Sequence, residues 1–381
     1  MLINGLTYDS TTKRLVLTYT SSDITRGGSA LNPYVVQDIY DTCIAKGWAG
    51  LDKLGNNYIF NEVGLYVDGN TYFDISNAFM LFHNTLFGTY FETSPSVQLT
   101  GTNFSIENAD AGTKYCRLYA NGSDTSILKN GFIRGLSNCF TQGIKIRNTK
   151  ITGFRSFGQF AGAYLDKCTL TLGLNGFQVL ANGITNRDLI FVDGVYAIYI
   201  RALYAENNAV LRDVELINNT RDLRYYTSGG DNYLTLIDCL VDPESYSVMN
   251  DSTHKAFTTF KTTFRWKFDA DVKVYDKDEN LIIDKTVAMD EEDEVIFCEH
   301  HFTVTPTVAL EVRYKQPFKV VVSKKGFETI AILDNEVVLG QKTVIRAELK
   351  KAIEVMATNK GIAIKANKTN YGKNRDFAII P

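Results

Sequence analysis

The stretch that decides the fold is Ile146-Arg147-Asn148-Thr149-Lys150-Ile151, which has an aliphatic residue at each end and an asparagine in third place. Copies of this loose six-residue pattern begin at Leu128, Ile146, Leu165, Ile184, Leu211 and Leu236. Successive copies begin 18, 19, 19, 27 and 25 residues apart. A period near 19 is too short for a helix-turn-helix repeat and too long for a simple hairpin, and it suits one coil of a parallel β-helix.

The positions within each copy predict different roles. The aliphatic residues are expected to point inward and to stack in columns at the ~4.8 Å spacing of parallel strands. The third residue is usually Asn or Asp and is expected at a bend, because its short side chain tolerates left-handed φ. Cys168 and Cys239 occupy the same place in their copies and are predicted to pack inward.

The two longer intervals predict loops that project from the coils, one within residues 192–208 and the other within residues 220–232. On solenoid proteins such insertions gather on one face, which is often the binding face. Six tyrosines lie in or beside these loops: Tyr196, Tyr199, Tyr204, Tyr225, Tyr226 and Tyr233. They either stack on sugar rings or fill the coils, and the second interpretation is favoured.

The sequence divides into four predicted regions. These are an N-terminal cap (1–92), a parallel β-helix (93–250), an antiparallel β-sandwich (251–350), and a tail with one or two strands (351–381). The sandwich is predicted from alternating apolar residues in Phe264–Tyr275 and Phe318–Val322. The fold class is therefore mainly all-β.

One amphipathic helix is predicted in the cap. Asn32 is placed as its N-cap and Pro33 at its first position, and apolar residues follow at helical spacing. Gly47 provides the C-terminal stop. This helix over residues 33–46 is expected to cover the first coil.

Three stretches resemble known families. Residues 144–151 (IKIRNTKI) and 210–216 (VLRDVEL) resemble the coil signature of pectate-lyase-like proteins, which implies a single-stranded right-handed parallel β-helix. Residues 317–329 (PFKVVVSKKGFET) are similar to the carboxypeptidase-regulatory-like, transthyretin-like sandwich, although Val274–Asn280 departs from its usual Asp-Gly turn. The order of the helix, Gly47-Trp48, Gly55–Tyr58 and Thr71-Tyr72-Phe73 resembles the opening of tailed-phage virion proteins that carry β-helices.

Catalytic chemistry of the resembled fold is sparse in this sequence. Pectin-hydrolysing β-helices use adjacent aspartates and a Gly-His-Gly turn, and the repeat region contains neither. Lyases of this fold use an Arg or Lys base, often with Ca²⁺ held by carboxylates. The candidates for such a cluster near the first long loop are Asp188, Asp193, Arg201, Glu206 and Asp213. Surface charge on solvated strands is the favoured interpretation, because charged residues are mostly exposed.

No metal or cofactor site is predicted. His300 and His301 are adjacent and would point to opposite faces of a strand, which is poor geometry for one ion. The acidic run from Asp290 to Glu294 lacks EF-hand spacing and is expected to be a solvated loop. The cysteines are scattered without a CxxC pair, and no phosphate-binding or dinucleotide fingerprint occurs.

Composition restricts the partners and the compartment. The 40 Lys and Arg nearly balance 43 Asp and Glu, which argues against nucleic-acid binding. No apolar run approaches the ~18 residues of a membrane span, so no membrane insertion is expected. The first nine residues lack the features of a signal peptide, and scattered cysteines indicate thiols made in a reducing cytoplasm.

Together, the resemblances and the missing catalytic pattern predict a non-enzymatic structural protein of a tailed-phage virion. It would be a tail fibre, spike or decoration piece that serves attachment or adhesion and is made in the host cytoplasm. Expected partners are other virion proteins, further copies in a homo-oligomer such as a trimer, and a host surface glycan. The alternatives are a polysaccharide lyase or hydrolase (a depolymerase) on the same β-helix, and a bacterial surface adhesin.

Overall fold

The structure is a computed structural model of the chain. It describes residues 2–23, 25–83, 89–109, 115–119, 126–134, 138–152, 158–159, 164–171, 177–179, 185–202, 207–227, 231–250, 255–303, 309–314, 318–335, 337–352, 354–358 and 361–365. The described chain is mainly β-strand, as the sequence predicts. It divides into two compact units, of which the first comprises Met1–Thr262, Ile296–Tyr314 and Leu339–Gln341. The second comprises Thr263–Val295, Lys315–Val338 and Lys342–Pro381.

The first unit contains three ladders of parallel strands. In the first ladder the strands pair in the order Arg14–Thr18, Gly64–Asp68, Thr89–Thr93, Tyr115–Tyr119, Asn138–Gln142, Gly158–Gln159, Phe177–Val179, Tyr196–Ala202, Arg221–Thr227 and Tyr246–Asn250. The strand Leu6–Asp9 pairs antiparallel with the first of these.

The second and third ladders share two long strands. The second consists of Tyr34–Val35, Tyr72–Asp74, Gln98–Thr102, Ile127–Lys129, Lys145–Arg147, Tyr164–Asp166, Thr185–Val192, Asn207–Ile217, Asn232–Ile237 and Lys255–Trp266. The third consists of Asn57–Asn61, Phe79–His83, Ser105–Asn108, Phe132–Arg134, Lys150–Thr152, Thr169–Thr171 and the C-terminal parts of the two long strands. Leu51–Leu54 pairs antiparallel with Asn57–Asn61.

The chain passes through the three ladders in turn, and each full round adds one parallel strand to each ladder. The ladders begin at Arg14, Tyr34 and Asn57, so the predicted boundary between residues 92 and 93 does not coincide with an end of the ladders. The predicted boundary at residue 250 likewise lies within the first unit, which extends to Thr262. A final antiparallel pair, Glu292–Thr303 with Ala309–Tyr314, has its paired residues in this unit.

Corners at which one residue has a left-handed backbone conformation separate the second ladder from the third. One residue with φ between 44° and 55° stands at each corner, and we call these residues the corner column: Asn77, Asn103, Asn130, Asn148, Lys167, Asp188, Asp213 and Asp238. The backbone N–H of Asn130 donates to the carbonyl of Arg147 over 3.1 Å, and that of Asn148 donates to the carbonyl of Asp166 over 2.9 Å. We call the chain from one corner to the next a coil.

The aliphatic first positions of the sequence pattern point inward. Leu128 pairs with Ile146, and Ile146 pairs with Leu165, and all three side chains are fully buried. The copy predicted at Ile184 is wrong by two residues, because Asn186 takes the inward place and pairs with Leu211. The Asn186 Oδ1 atom accepts a hydrogen bond from the backbone N–H of Leu165 over 2.7 Å, which allows an amide to replace an aliphatic side chain there.

The coil lengths follow the predicted intervals closely. Corner residues are 18, 19 and 21 apart from Asn130 to Asp188, and 25 apart from Asp188 to Asp238 through Asp213. Strands of the first ladder have five, two and three residues in the three shorter coils and seven in the two longer ones. The predicted loops are therefore wrong where they are described, since Tyr196–Ala202 and Arg221–Thr227 are strands of this ladder.

The helix comprises Val36–Lys46. The predicted start at Pro33 is wrong, because Tyr34–Val35 first forms a parallel strand with Tyr72–Asp74. The backbone N–H of Val35 then donates to the Asp38 carboxylate, which satisfies one free amide of the first turn. The predicted C-terminal stop is confirmed, since Gly47 has φ of 64°.

The helix lies against the start of the third ladder. The ring of Tyr40 is 6.4 Å from that of Tyr58 between centroids, and the Tyr58 hydroxyl donates to the side chain of Gln37. The covering of the first coil by this helix remains a prediction. No helix in the described part of the chain has the length and the apolar character needed to cross a membrane.

The second unit contains a four-stranded antiparallel sheet. Its strands pair in the order Leu281–Val287, Ala270–Tyr275, Phe318–Ser323 and Ile330–Asn335. Thr343–Ile345 pairs in parallel with Phe264–Trp266, and Glu354–Thr358 forms an antiparallel pair with Gly361–Lys365. Trp266 is fully buried, and its indole N–H donates to Asp293 over 2.7 Å. The alternating stretch predicted over 264–275 is two strands, which a bend at residues 267–269 separates.

Candidate functional site

The aspartates predicted as catalytic candidates stand at corners of the coils. Asp188 and Asp213 belong to the corner column, with φ of 52° each. They lie in adjacent coils, because Arg187 pairs with Arg212 on one side of the corner and Leu189 with Val214 on the other. Asp193 has φ of 56° and directly follows the strand Thr185–Val192. Its backbone N–H donates to the carbonyl of Ile217 in the next coil. All three aspartates are exposed, and each takes a backbone conformation that favours Asn, Asp or Gly.

The remaining candidates do not join this group in the described chain. Arg201 lies on a strand of the first ladder, where its backbone pairs with Tyr226. Glu206 is outside the described residues. The structure therefore brings Asp188 and Asp213 together in one column, and it places Asp193 and Arg201 on other parts of the coil.

Ion pairs follow the edge of the second ladder next to the corner column. Asp166 is buried and lies between two arginines, 3.5 Å from Arg147 in the preceding coil and 3.5 Å from Arg187 in the following one. Further along the stack, Arg212 is 3.6 Å from Asp238 in the following coil. These pairs connect successive coils, so the charges of this edge stabilise the stack rather than converge on a reacting centre.

His300 is part of the core. It is fully buried, and its Nδ1 atom lies 3.3 Å from the Tyr225 hydroxyl. The rings of Tyr246 and Phe260 contact it edge-on, with centroids 5.9 and 5.6 Å away. The side chain of His301 is outside the described part, so its predicted opposite orientation is not tested.

The acidic run is neutralised by cations of the second unit. Asp290 pairs with Arg265 and Lys267, and hydrogen bonds from Lys267 hold the pKa of its carboxyl below the usual range. Glu292 is 2.9 Å from Lys342. Among the described residues, no group of His, Cys, Asp and Glu has the arrangement of a metal site.

The described tyrosines differ in their surroundings. Tyr225 is fully buried and pairs with the buried Ile200, as the favoured interpretation expects. Tyr199 is also buried, but it pairs with Arg224 and lies on the opposite side of the strand from Ile200. The guanidinium of Arg224 lies 4.5 Å from the ring centroid of Tyr196 and 4.9 Å from that of Tyr199. Tyr233 is 36% exposed and stacks on Phe257. Tyr204 is outside the described residues.

The two repeat cysteines are buried, as the sequence predicts. The Cys168 thiol donates to the carbonyl of Asp166, and the Cys239 thiol donates to the carbonyl of Ile237, two residues back in each case. Burial raises the pKa of Cys168 to about 11 and that of Cys239 to about 12. Neither thiol therefore has the thiolate character of a nucleophile.

A surface groove that the sequence analysis missed lies on the outer face of the third ladder. It has a volume of about 420 Å³. Phe79 pairs with Ser105, and Ser105 pairs with Phe132, so the two phenyl groups stand in one column with a small residue between them. We call this gap between Phe79 and Phe132 over Ser105 the slot. Phe79 is 39% exposed, and Phe132 is half-buried.

Polar side chains surround the slot. Asn103 and Asn130 line it from the corner column, and Glu107 lines it from the other side. The floor is tightly packed, because a Cβ atom on Gly131 would lie 2.1 Å from the ring of buried Phe104. The only sequence signal for the slot is an outward Phe-Ser-Phe series, whose members each follow a corner residue by two positions.

The comparisons with known proteins do not identify a relative. No family model, no characterised protein and no solved structure matches this chain.

Proposed function

We propose that the three ladders close into a single-stranded right-handed parallel β-helix, and that the second unit is a small transthyretin-like sandwich. Support for the β-helix comes from the cyclic order in which the chain visits the ladders, and from the corner column from Asn77 to Asp238. Right-handedness is the general rule for crossovers between parallel strands of one sheet. The antiparallel four-stranded sheet supports the sandwich.

We infer that the chain is a non-enzymatic structural protein of a tailed-phage virion, in an appendage that serves attachment or adhesion. The observation that carries this proposal is the uninterrupted stack of hydrogen-bonded strands from Arg14 to Asn250 in the first ladder. Each coil is bonded to both neighbours through its strands in the ladders, and such a stack is stiff enough to hold a binding surface away from a particle.

The corner aspartates support a structural role for the shaft. Asp188, Asp193 and Asp213 adopt left-handed φ, for which a short polar side chain is selected without any catalytic need. Their presence at these positions is thus explained by backbone geometry. This argument favours the structural protein over the depolymerase alternative.

The expected partners are other virion proteins, further copies of the chain in a homo-oligomer such as a trimer, and a host surface glycan. Four large apolar side chains of the N-terminal region are more than half exposed: Leu2, Leu31, Ile44 and Leu54. Contiguous apolar patches mark surfaces that other proteins cover, so these residues are the first positions at which to look for an assembly surface.

Mass spectrometry of purified phage particles tests the proposal. We expect peptides of the chain at a fixed ratio to the capsid protein, and we expect the purified chain to compete with particles for adsorption to the host. Absence of the chain from intact particles would overturn the assignment. Shortening of the host surface polysaccharide by the purified chain, lost in Asp188→Asn or Asp213→Asn, would favour the depolymerase instead.

A further inference from the structure

We propose that the slot between Phe79 and Phe132 binds one neutral pyranose ring of a glycan. This inference deepens the attachment role by naming the ligand and its site, and it rests on the proposed function only for the biological source of the glycan.

The width of the slot matches one saturated ring. Phe79 and Phe132 are two strand positions apart through Ser105, and two spacings of parallel strands amount to about 9.6 Å. Contact with both phenyl groups at the carbon–carbon optimum of ~3.5–4.0 Å requires about 7–8 Å. The remainder accommodates the pucker of a pyranose ring, whereas a flat aromatic ligand would leave a gap.

The walls of the slot are apolar surfaces without a covering group in the described chain. Phe79 is 39% exposed on a strand where the neighbouring Met80 and Phe82 are fully buried. Phenyl faces attract the positively polarised C–H groups on the face of a pyranose ring, in the way that they attract the edge of another aromatic ring. Ser105 is 5% exposed and forms the floor between the two walls.

The rim of the slot supplies hydrogen bonds for hydroxyl groups. Asn103 and Glu107 line the groove, and the side chain of neither forms a hydrogen bond or ion pair with another described residue. Asn130 uses its Oδ1 to accept from Asn148, so its amide N–H groups remain available as donors. Amides that donate and accept, beside a carboxylate that accepts, match a ring whose hydroxyls do both.

The charge of the rim selects a neutral sugar. Glu107 is the charged group among the residues that line the slot, whereas Arg134, its partner on the next strand, lies outside the lining. Its carboxylate repels the carboxylate of a uronic or sialic acid at short range, and like-charge juxtaposition of this kind is a common basis of specificity. The site therefore favours a hexose or an N-acetylhexosamine over an acidic sugar.

Saturation-transfer difference NMR on the full chain tests this inference with defined probes. The neutral probes are the methyl glycosides of glucose, galactose and N-acetylglucosamine, and the acidic probe is glucuronic acid. We expect saturable binding of at least one neutral probe with a Kd on the order of 1 mM, which corresponds to about −4 kcal/mol. Glucuronic acid is expected to bind at least tenfold more weakly, and Glu107→Gln is expected to remove that difference.

Variants of the slot locate the binding. Phe79→Ala and Phe132→Ala each remove one wall and are expected to weaken binding by about two- to twelvefold, the range that corresponds to the ~0.5–1.5 kcal/mol of an aromatic contact. Ser105→Phe fills the slot and is expected to abolish binding while both walls remain. Tyr233→Ala is the matched control, because Tyr233 is 36% exposed on the second ladder and does not line the slot. Circular dichroism confirms that each variant is folded.

Two results would overturn the inference. One is the absence of saturable binding of every neutral probe at about 10 mM, ten times the expected Kd. The other is binding that Ser105→Phe and both Ala variants leave unchanged. Because the purified chain and free glycosides are used, either result removes the slot without deciding whether the chain is present in virions.

Discussion

Asn148 donates a hydrogen bond from its side-chain Nδ2 to the Oδ1 of Asn130 over 2.8 Å, and both residues have left-handed φ. Each asparagine thus serves two purposes: its backbone turns the corner, and its amide connects adjacent coils. Positive φ is the requirement that all residues of the corner column share, and the bond to the adjacent coil is an addition at Asn130 and Asn148. The shared requirement explains why Asn or Asp recurs in the third place of the pattern.

Substitutions at Asn148 separate the two purposes. Asn148→Gly keeps the backbone free to adopt positive φ and loses only the amide bond, which contributes about 0.5–1.5 kcal/mol. Asn148→Ala loses the bond and adds about 1–2 kcal/mol of left-handed strain. We therefore expect urea unfolding to rank the free energies of unfolding as wild type, Gly, then Ala. Lys129→Ala, at an exposed strand position, is the control, and equal values for Gly and Ala would contradict the double role.

Two buried asparagines are predicted to respond to the same substitution with opposite sign. Asn186 bonds to the Leu165 N–H, so Asn186→Leu leaves a buried donor unpaired and is expected to cost about 1–3 kcal/mol. Asn232 is fully buried, and neither polar atom of its amide bonds to a described residue. Asn232→Leu removes these two unpaired polar atoms and is expected to raise the free energy of unfolding by about 1 kcal/mol.

Thermal unfolding of the two variants checks this pair. We expect a lower Tm for Asn186→Leu and a higher Tm for Asn232→Leu. Each variant serves as the control for the other, because the change in volume and chemistry is the same. A shift of both Tm values in one direction would contradict the assignment of the Asn186 hydrogen bond as the deciding factor.

The positions of the inward side chains could be predicted from the sequence, whereas the exceptions depend on tertiary structure. Leu128, Ile146 and Leu165 follow from a local pattern of aliphatic residues, and all three are fully buried. Asn186 could not be predicted inward, since its suitability depends on a backbone N–H from the preceding coil. The predicted start of the helix is wrong for the same reason, because Tyr34–Val35 is extended in order to pair with a strand far along the chain.

The candidate site illustrates the same limit. The aspartates at residues 188, 193 and 213 were identified as charged groups near expected loops, but the expected loops contain ladder strands and the aspartates form corners. The slot depends on the register that places Phe79, Ser105 and Phe132 in one column. Residues that are 26 and 27 positions apart give no local periodicity, so only the strand pairing reveals it.

Asp222 predicts a pH dependence of stability. Burial and the nearby charge of Asp242 raise the pKa of the Asp222 carboxyl, although a backbone N–H from Asp242 donates to it over 2.7 Å. A raised pKa in the folded state means that the charged form opposes folding. The contribution of this group to stability is therefore full below the unfolded pKa of ~3.9, and it is lost as the pH rises through the folded pKa.

Asp222→Asn tests this dependence, because the amide is neutral at every pH. We expect the variant to be more stable than wild type at pH 7 and the difference to vanish near pH 3. Urea unfolding across this range measures it, and Asp188→Asn at an exposed corner controls for the loss of one charge. A stability difference that grows as the pH falls would show that the sign is wrong.

Cys168 reports on the opening of the coils. Its thiol is buried, and burial raises its pKa to about 11, so the folded chain presents almost no reactive thiolate at pH 8. Labelling must then occur through an open state, and when closing is faster than labelling, the rate follows the population of that state.

Asn148→Ala removes a corner directly beneath the coil of Cys168. It should therefore raise the labelling rate of Cys168 by about tenfold for each 1.4 kcal/mol of stability that it removes. Iodoacetamide labelling followed by mass spectrometry measures this rate, with labelling in concentrated urea as the upper reference. A native rate equal to that reference would contradict the burial of the thiol, and an unchanged rate in Asn148→Ala would separate the corner from the opening of this coil.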